Sequence, residues 1–169
     1  MTPAYNITPP TERDLDLLPE IERAASAIFP EGRLSDPDDV MPRAELEKAA
    51  SEGLLFGAVC GGQLVGFAMA REDGEELYLA IMAVHPEHGR RGIGTGLVKA
   101  VLDASAARRL RGVTLTTFSD LPWNGPFYAK QGFEAIPEAE LSPLLRSELA
   151  WQEKEGMTNR IAMRYTNAA

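Results

Sequence analysis

Val84-His85-Pro86-Glu87-His88-Gly89-Arg90-Arg91-Gly92-Ile93-Gly94-Thr95-Gly96-Leu97-Val98 decides how this chain is read. An apolar run, Leu77 to Val84, stops just before Pro86, a short loop rich in glycine and arginine follows, and a helical pattern then begins. Strand, tight turn and helix N-terminus succeed one another without a spacer. The glycines at 92, 94 and 96 carry no Cβ and let the backbone come close to a ligand. The first amides of a helix lack intrahelical partners and sit at the positive end of its dipole, so they suit a phosphate. Arg90 and Arg91 add positive charge beside them. The stretch therefore reads as a cradle for a pyrophosphate-bearing cofactor.

Two common nucleotide motifs do not fit it. A P-loop ends in Gly-Lys-Ser/Thr, and this loop holds no lysine. The dinucleotide fingerprint needs a third glycine three residues after its second, where this chain has Leu97. A second segment narrows the choice. Pro122-Trp123-Asn124-Gly125-Pro126-Phe127-Tyr128-Ala129-Lys130-Gln131-Gly132-Phe133 follows another apolar run, Val113 to Phe118.

Together the two segments resemble the GNAT superfamily of acyl-CoA N-acyltransferases. Gly89 to Gly94 is similar to that family's cofactor motif, Gln/Arg-x-x-Gly-x-Gly/Ala, and Phe127 to Phe133 to its later Phe-Tyr-x-x-x-Gly-Phe segment. Thr116 to Tyr128 resembles a bacterial subgroup with Thr-Thr-Phe-x-Asp-x-Pro-Trp-Asn-x-Pro-Phe-Tyr. The likeness covers nearly the whole chain. It implies an α/β (α+β) fold, a mixed and mostly antiparallel sheet of six to seven strands flanked by helices, with a splayed strand pair for acyl-CoA. It also implies acetyl-CoA as acyl donor and transfer of the acetyl group to a primary amine. The backbone of Gly89, Arg90, Arg91, Gly92, Ile93, Gly94 and Thr95 would hold the pyrophosphate, with Met82, Ala83 and Val84 along the pantetheine arm. Asn124, Phe127 and Tyr128 would complete the cofactor contacts, Asn124 either binding the arm or capping the short helix. Tyr128 is implied as the acid that protonates the departing thiolate; a phenol, with a pKa near ~10, holds that proton at neutral pH. A catalytically silent acyl-CoA-binding sensor is the alternative.

Two positions depart from the family pattern. Gly89 stands where Gln or Arg is usual, and Ala80 and Ile81 stand where the subgroup often carries glutamates. The base is therefore open: another residue, a water relay or prior deprotonation of the amine in solution. Glu22 and Glu76 are the first candidates, with Glu75 and His85 behind them. A base is needed because an amine near pKa ~10.4 is mostly charged at neutral pH.

The composition agrees with this reading. At 169 residues, with 44% hydrophobic and 25% charged content, the chain suits one soluble domain, 1–169, large enough for its own core. The single cysteine, Cys60, excludes an internal disulfide framework and reads as a small core residue. Two histidines in one loop and no cysteine pair give no metal-ligand spacing. The net charge of −8 disfavours nucleic acid and is compatible with a cationic small-molecule or peptide amine acceptor. No apolar stretch spans a membrane, and no signal-type start is seen, so a cytoplasmic location is expected. The last strand and the acidic helix before it offer a face for a homodimer.

Periodicity sets the element order. Tyr5 to Thr8 reads as an edge strand, and Thr11 to Phe29 as a helix capped by Asp14. Pro30 to Asp39 reads as a loop and Pro42 to Glu52 as a helix. Strands are expected at Leu54 to Cys60 and Leu64 to Ala70, turned by Gly61-Gly62, and at Glu76 to Val84 after Asp73-Gly74. A helix over Ile93 to Leu110 should end at Gly112, with Arg108, Arg109 and Arg111 at its negative end. Then come a strand at Val113 to Phe118, a short helix within Pro122 to Gln131, a strand at Phe133 to Ile136, a helix at Leu141 to Lys154 and a strand at Asn159 to Tyr165.

Overall fold

The structure, a computed structural model, describes residues 4–168. Strands β1 (Tyr5–Thr8), β2 (Leu55–Cys60), β3 (Gln63–Asp73) and β4 (Glu76–Val84) form an antiparallel meander. Cys60 pairs with Gln63, so Gly61 and Gly62 are the whole β2–β3 loop. Their φ values of 58° and 79° make the tight turn that only glycine enters freely. Strands β5 (Gly112–Phe118), β6 (Glu134–Ala135) and β7 (Arg160–Thr166) complete a seven-stranded sheet in the order β1-β2-β3-β4-β5-β7-β6. The sheet matches the expected mixed, mostly antiparallel architecture, β4–β5 being its parallel pair. Helix α3 (Ile93–Ala107) packs along β1 to β5. Helices α1 (Leu18–Ser26), α2 (Arg43–Ser51) and α5 (Pro143–Lys154) pack on β2 to β4, β5 and β7, and short α4 (Gly125–Lys130) follows β5. The core between these layers is built from Leu18, Leu46, Phe67, Leu77, Leu97 and Leu115, each nearly inaccessible to solvent.

Three expectations need correction. The segment Thr11–Phe29 is not one helix. A 3-10 turn at Asp14–Asp16 precedes α1, and Pro19, which lacks an N–H, takes the first turn of α1. Asp14 is not a simple cap: it exchanges two hydrogen bonds with Thr11, whose N–H donates to the carboxylate at 2.8 Å while the Asp14 N–H donates to Thr11 Oγ1. Gly112 does not end α3, which stops at Ala107 with Arg109 at φ 59°. Gly112 opens β5, and a Cβ there would lie 1.9 Å from the Tyr165 carbonyl oxygen. The remaining elements lie within a few residues of their expected bounds, and Glu76–Val84 matches at both ends.

What positions the site is the way β4 leaves β5. The two strands pair only through Glu76–Gly112, Leu77–Val113 and Tyr78–Thr114. Just beyond, Ala80 is an extra residue against β3, because Ile81 pairs with Met69 and Leu79 with Ala70. A bulge bends its strand and raises its twist. From Leu79 and Leu115 onward the parallel pair is open. At the closed end Glu76 and Arg164 form a bidentate ion pair across β5, at 2.6 and 3.1 Å.

Candidate active site

The opening between β4 and β5 is a slot through the sheet. On the α3 side it widens into a cleft of about 850 Å³ lined by the glycine loop, the end of β4 and α4. On the other side lies a smaller pocket of about 330 Å³ between α1, the following loop and α5. Ala80, Ile81, Met82, Ala83 and Thr116 belong to both walls, so the two spaces meet at the slot.

The glycine loop offers free donors. From Arg90 to Thr95 no backbone N–H has a hydrogen-bond partner among the described residues; the first regular helical bond runs from Gly96 N–H to the Gly92 carbonyl. Positive φ at Arg90 (60°) and Gly92 (80°) folds the chain so that these amides converge. Arg91 is half-buried beside them, its Nη1 3.4 Å from His88 Nδ1. The donor set suits a pyrophosphate. Gly89 differs from its neighbours, because its N–H already donates to the Pro86 carbonyl at 3.1 Å. Gly96 makes room for a side chain rather than a ligand. The Tyr5 hydroxyl donates to the Gly92 carbonyl at 2.8 Å, and a Cβ on Gly96 would sit 2.5 Å from that hydroxyl.

On β4 the alternation of an antiparallel ladder decides which groups face the slot. The His85 N–H donates to the Val65 carbonyl, so Ala83 and Ile81 also turn their backbone toward β3. The N–H and C=O of Met82 and Val84 then face the open edge, where an extended ligand arm can add to the sheet. Asn124 heads α4 without capping it. Its Oδ1 accepts from the Thr117 hydroxyl at 2.9 Å and the Phe118 N–H at 3.4 Å, fastening the loop to β5. Its Nδ2 has no partner among the described residues and borders the cleft.

Tyr128 sits in α4 with its ring held edge-on by Phe127 (5.1 Å) and Phe133 (5.6 Å). Its hydroxyl has no hydrogen-bond partner among the described residues, and the side chain lines the cleft. Burial pushes the phenol's pKa well above its usual value, with the Arg160 charge opposing, so the group stays protonated.

The candidate bases separate cleanly. Glu76 is buried at the closed end and its carboxylate is held by Arg164, away from both pockets. Glu75 occupies the exposed β3–β4 turn. The His85 ring accepts from the Glu87 N–H at 3.2 Å and serves the turn. Glu22 lines the smaller pocket, accepting from the Met41 N–H at 2.8 Å. Burial raises its carboxyl to a pKa of about 7, partly offset by that hydrogen bond. Arg160 and Gln152 of the smaller pocket belong to no sequence motif, whereas Thr116 opens the Thr116 to Tyr128 segment. Arg160, Gln152 and Thr116 come together from β7, α5 and β5, with the Arg160 Nε donating to Gln152 Oε1 at 2.9 Å and Nη2 to Thr116 Oγ1 at 3.2 Å. The one available signal is an arginine at the head of a strand whose next three residues are apolar. Among the described residues no group of three or more His, Cys, Asp or Glu could hold a metal ion, and no helix is long and apolar enough to cross a membrane.

A parallel strand pair splayed over a bulge, with unpaired amides at the mouth, can admit a ligand with an extended arm and an anionic end. The chain belongs to the acetyltransferase (GNAT) family, whose profile matches residues 18–133. Mycothiol acetyltransferase of Saccharopolyspora erythraea is 39% identical over 97 residues, 52% of this chain and 32% of the relative. That of Clavibacter sepedonicus is 33% identical over 101 residues, 58% of this chain and 32% of the relative. The chain thus matches about a third of the length of these curated relatives. Among solved structures, PaiA N-acetyltransferase from Thermoplasma acidophilum in complex with coenzyme A superposes with a TM-score of 0.74 at 16% identity, over 97% of this chain and 99% of that one. N-acetylglutamate synthase from Neisseria gonorrhoeae, complexed with coenzyme A and N-acetyl-glutamate, gives 0.76 at 20% identity, over 98% of this chain and 36% of that one. At these identities the likeness concerns the fold.

Proposed function

We propose that the chain transfers an acetyl group from acetyl-CoA to a primary amine by direct attack, with Glu22 as base and Tyr128 as acid. The observation that carries this reading is the slot, bordered by a proton acceptor in one pocket and a proton donor in the other. The free amides of Arg90 to Thr95, with Arg91, hold the pyrophosphate, and the open edge of Met82 and Val84 holds the pantetheine arm. When bound, acetyl-CoA supplies a thioester carbonyl reactive toward amines and a sulfur that leaves as thiolate.

Ionised Glu22 takes a proton from the incoming ammonium, either directly or through water, and frees the lone pair. A backbone N–H on the open β4 edge polarises the carbonyl oxygen. As the C–N bond forms and the C–S bond breaks, Tyr128 gives its Oη proton to sulfur. The extra proton left on nitrogen returns to Tyr128, and Glu22 releases its own to solvent. The products are the N-acetylated amine and CoA with a free thiol. The likeness of Thr116 to Tyr128 to the bacterial subgroup segment supports the acid role.

The test is release of CoA thiol from acetyl-CoA over a panel of amines, with wild type beside Tyr128→Phe. Wild type is expected to release thiol only when an amine is present. The variant should lose roughly 10²–10³-fold in kcat with the KM for acetyl-CoA little changed, as removal of a general acid does. Tight acetyl-CoA binding without release from any amine would instead favour the sensor reading.

A further inference from the structure

Five arginines are partly buried in this fold: Arg33, Arg71, Arg91, Arg160 and Arg164. Three of them hold a carboxylate within 3.0 Å: Arg33 with Asp120, Arg71 with Glu148, and Arg164 with Glu76. The other two have no carboxylate within 4.0 Å among the described residues. One is Arg91, in the loop already assigned to a pyrophosphate. The other is Arg160, in the smaller pocket on the far side of the slot. A desolvated cation without a counter-ion is costly unless something else compensates it. Of the two left without a carboxylate, Arg160 is the one whose side chain lines a pocket.

The Arg160 guanidinium is also held in place. Its Cζ lies 4.4 Å from the centre of the Phe118 ring, while Gln152 and Thr116 fix Nε and Nη2. Nη1 makes no hydrogen bond to the described residues and is not sealed from solvent. Glu148, the pocket carboxylate whose charge acts on Arg160, forms its ion pair with Arg71 instead. Burial lowers the Arg160 pKa to about 10, which leaves it charged at neutral pH.

We infer that Arg160 is the specificity-determining contact for a carboxylate on the acceptor, so that the acceptor is a small amino acid or short peptide whose amine lies toward Glu22. This rests on the transferase reading given above. The choice of a carboxylate over a phosphate follows from the surroundings. One guanidinium faces a wall that also holds Glu22, Asp36, Asp39 and Glu148, on a chain of net charge −8. A dianion would meet that field with a single cation to balance it, whereas an ammonium-carboxylate zwitterion brings a positive end for Glu22 and a single negative charge for Arg160. A space of about 330 Å³ suits a molecule of that size.

The test pairs acceptors that differ in one group. Glycine, other L-amino acids, γ-aminobutyrate and glycylglycine are each compared with their primary carboxamide, and 2-aminoethylphosphonate is included. Wild type is expected to favour the best carboxylate over its carboxamide by roughly 10- to 100-fold in kcat/KM, because the amide keeps an acceptor oxygen for Arg160 but loses the charge that strengthens the bond. Arg160→Gln should bring that ratio to about one, and Arg160→Lys should keep part of it. Whether the best acceptor is an amino acid or the dipeptide identifies the source of the carboxylate.

Binding is measured separately by calorimetry on CoA-saturated protein with the same pairs. Carboxylate-dependent binding that disappears in Arg160→Gln supports the inference even where no acetyl transfer occurs, and such a result tells against the transferase reading alone. Transfer to amines with no carboxylate preference, or stronger use of the phosphonate, overturns the inference and leaves the transferase reading standing. Absence of carboxylate-dependent binding by wild type overturns it as well.

Discussion

Glu22 shows how one residue's surroundings decide what it does. Its carboxyl is raised from the ordinary 4.5 to about 7, chiefly by burial beneath the loop that carries Met41. A base poised near the working pH is well matched to an ammonium acceptor. The rate with an amine acceptor, as kcat/KM, should therefore rise with pH through about 7, and Glu22→Gln should flatten that limb while lowering the rate roughly 10²-fold or more. The same shift has a stability consequence. The folded-state pKa lies above the unfolded one, so the contribution of Glu22 is fully present below about 4.5 and is lost as pH rises through about 7. The melting temperature of Glu22→Gln relative to wild type should thus climb between pH 5 and pH 8. An offset equal at both values would remove the case for a perturbed carboxyl.

At the scale of elements, the glycine loop is braced from behind by β1. Tyr5 fills the space over Gly96 and holds the Gly92 carbonyl, which keeps the N-terminal turn of α3 in place. Alanine is normally better than glycine inside a helix by about 1 kcal/mol. Here Gly96→Ala should destabilise instead, by roughly 1–3 kcal/mol, since the new methyl group displaces Tyr5. It should also weaken acetyl-CoA binding, and adding Tyr5→Ala should return part of the stability. Urea unfolding and calorimetry measure both effects; a stabilised Gly96→Ala would refute the brace.

The elements also show what one dimension carries. Glu76–Val84 was legible because a strand covered on both faces is apolar throughout, and the loop after it because free helix amides need no side chains. The stripe Leu15, Leu18, Ile21, Ala25 and Ile28 read as one helix because periodicity is blind to a break in phase with it. In the fold Ile28 is exposed, and Pro19 marks the true start. Gly112 read as a helix stop because glycine commonly follows helices, whereas its cause is a β7 carbonyl more than fifty residues away in sequence. Of the bases, Glu22 and Glu76 were equal in sequence. Only their partners, Met41 and Arg164, tell them apart. Arg160 escaped notice for the same reason, since Thr116 and Gln152 converge on it from two other elements.

For the whole molecule the decisive feature is a sheet paired at one end of β4–β5 and open at the other. Glu76 and Arg164 lock the paired end, both nearly buried, with side-chain exposures of 9% and 12%. Arg164→Met alone would leave Glu76 charged and buried without its partner, at a cost of about 3–5 kcal/mol. The double variant Glu76→Leu with Arg164→Met removes both charges and should recover most of that loss. Chemical denaturation of the two singles and the double reads the coupling. Additive losses would mean that the pair does not act as a unit.

The sheet order has a further consequence for a chain made from one end to the other. Strands β1 to β4 are neighbours in sequence and in space, so their ladders can close as soon as they leave the ribosome. β5 has three residue pairs with β4 and seven with β7, a strand made about forty residues after β5 ends. Until β7 is made, one wall of the slot has no lasting support, and the arginine proposed to read the acceptor has not yet been added. The nascent protein thus acquires its proposed pyrophosphate cradle before its proposed means of choosing an acceptor.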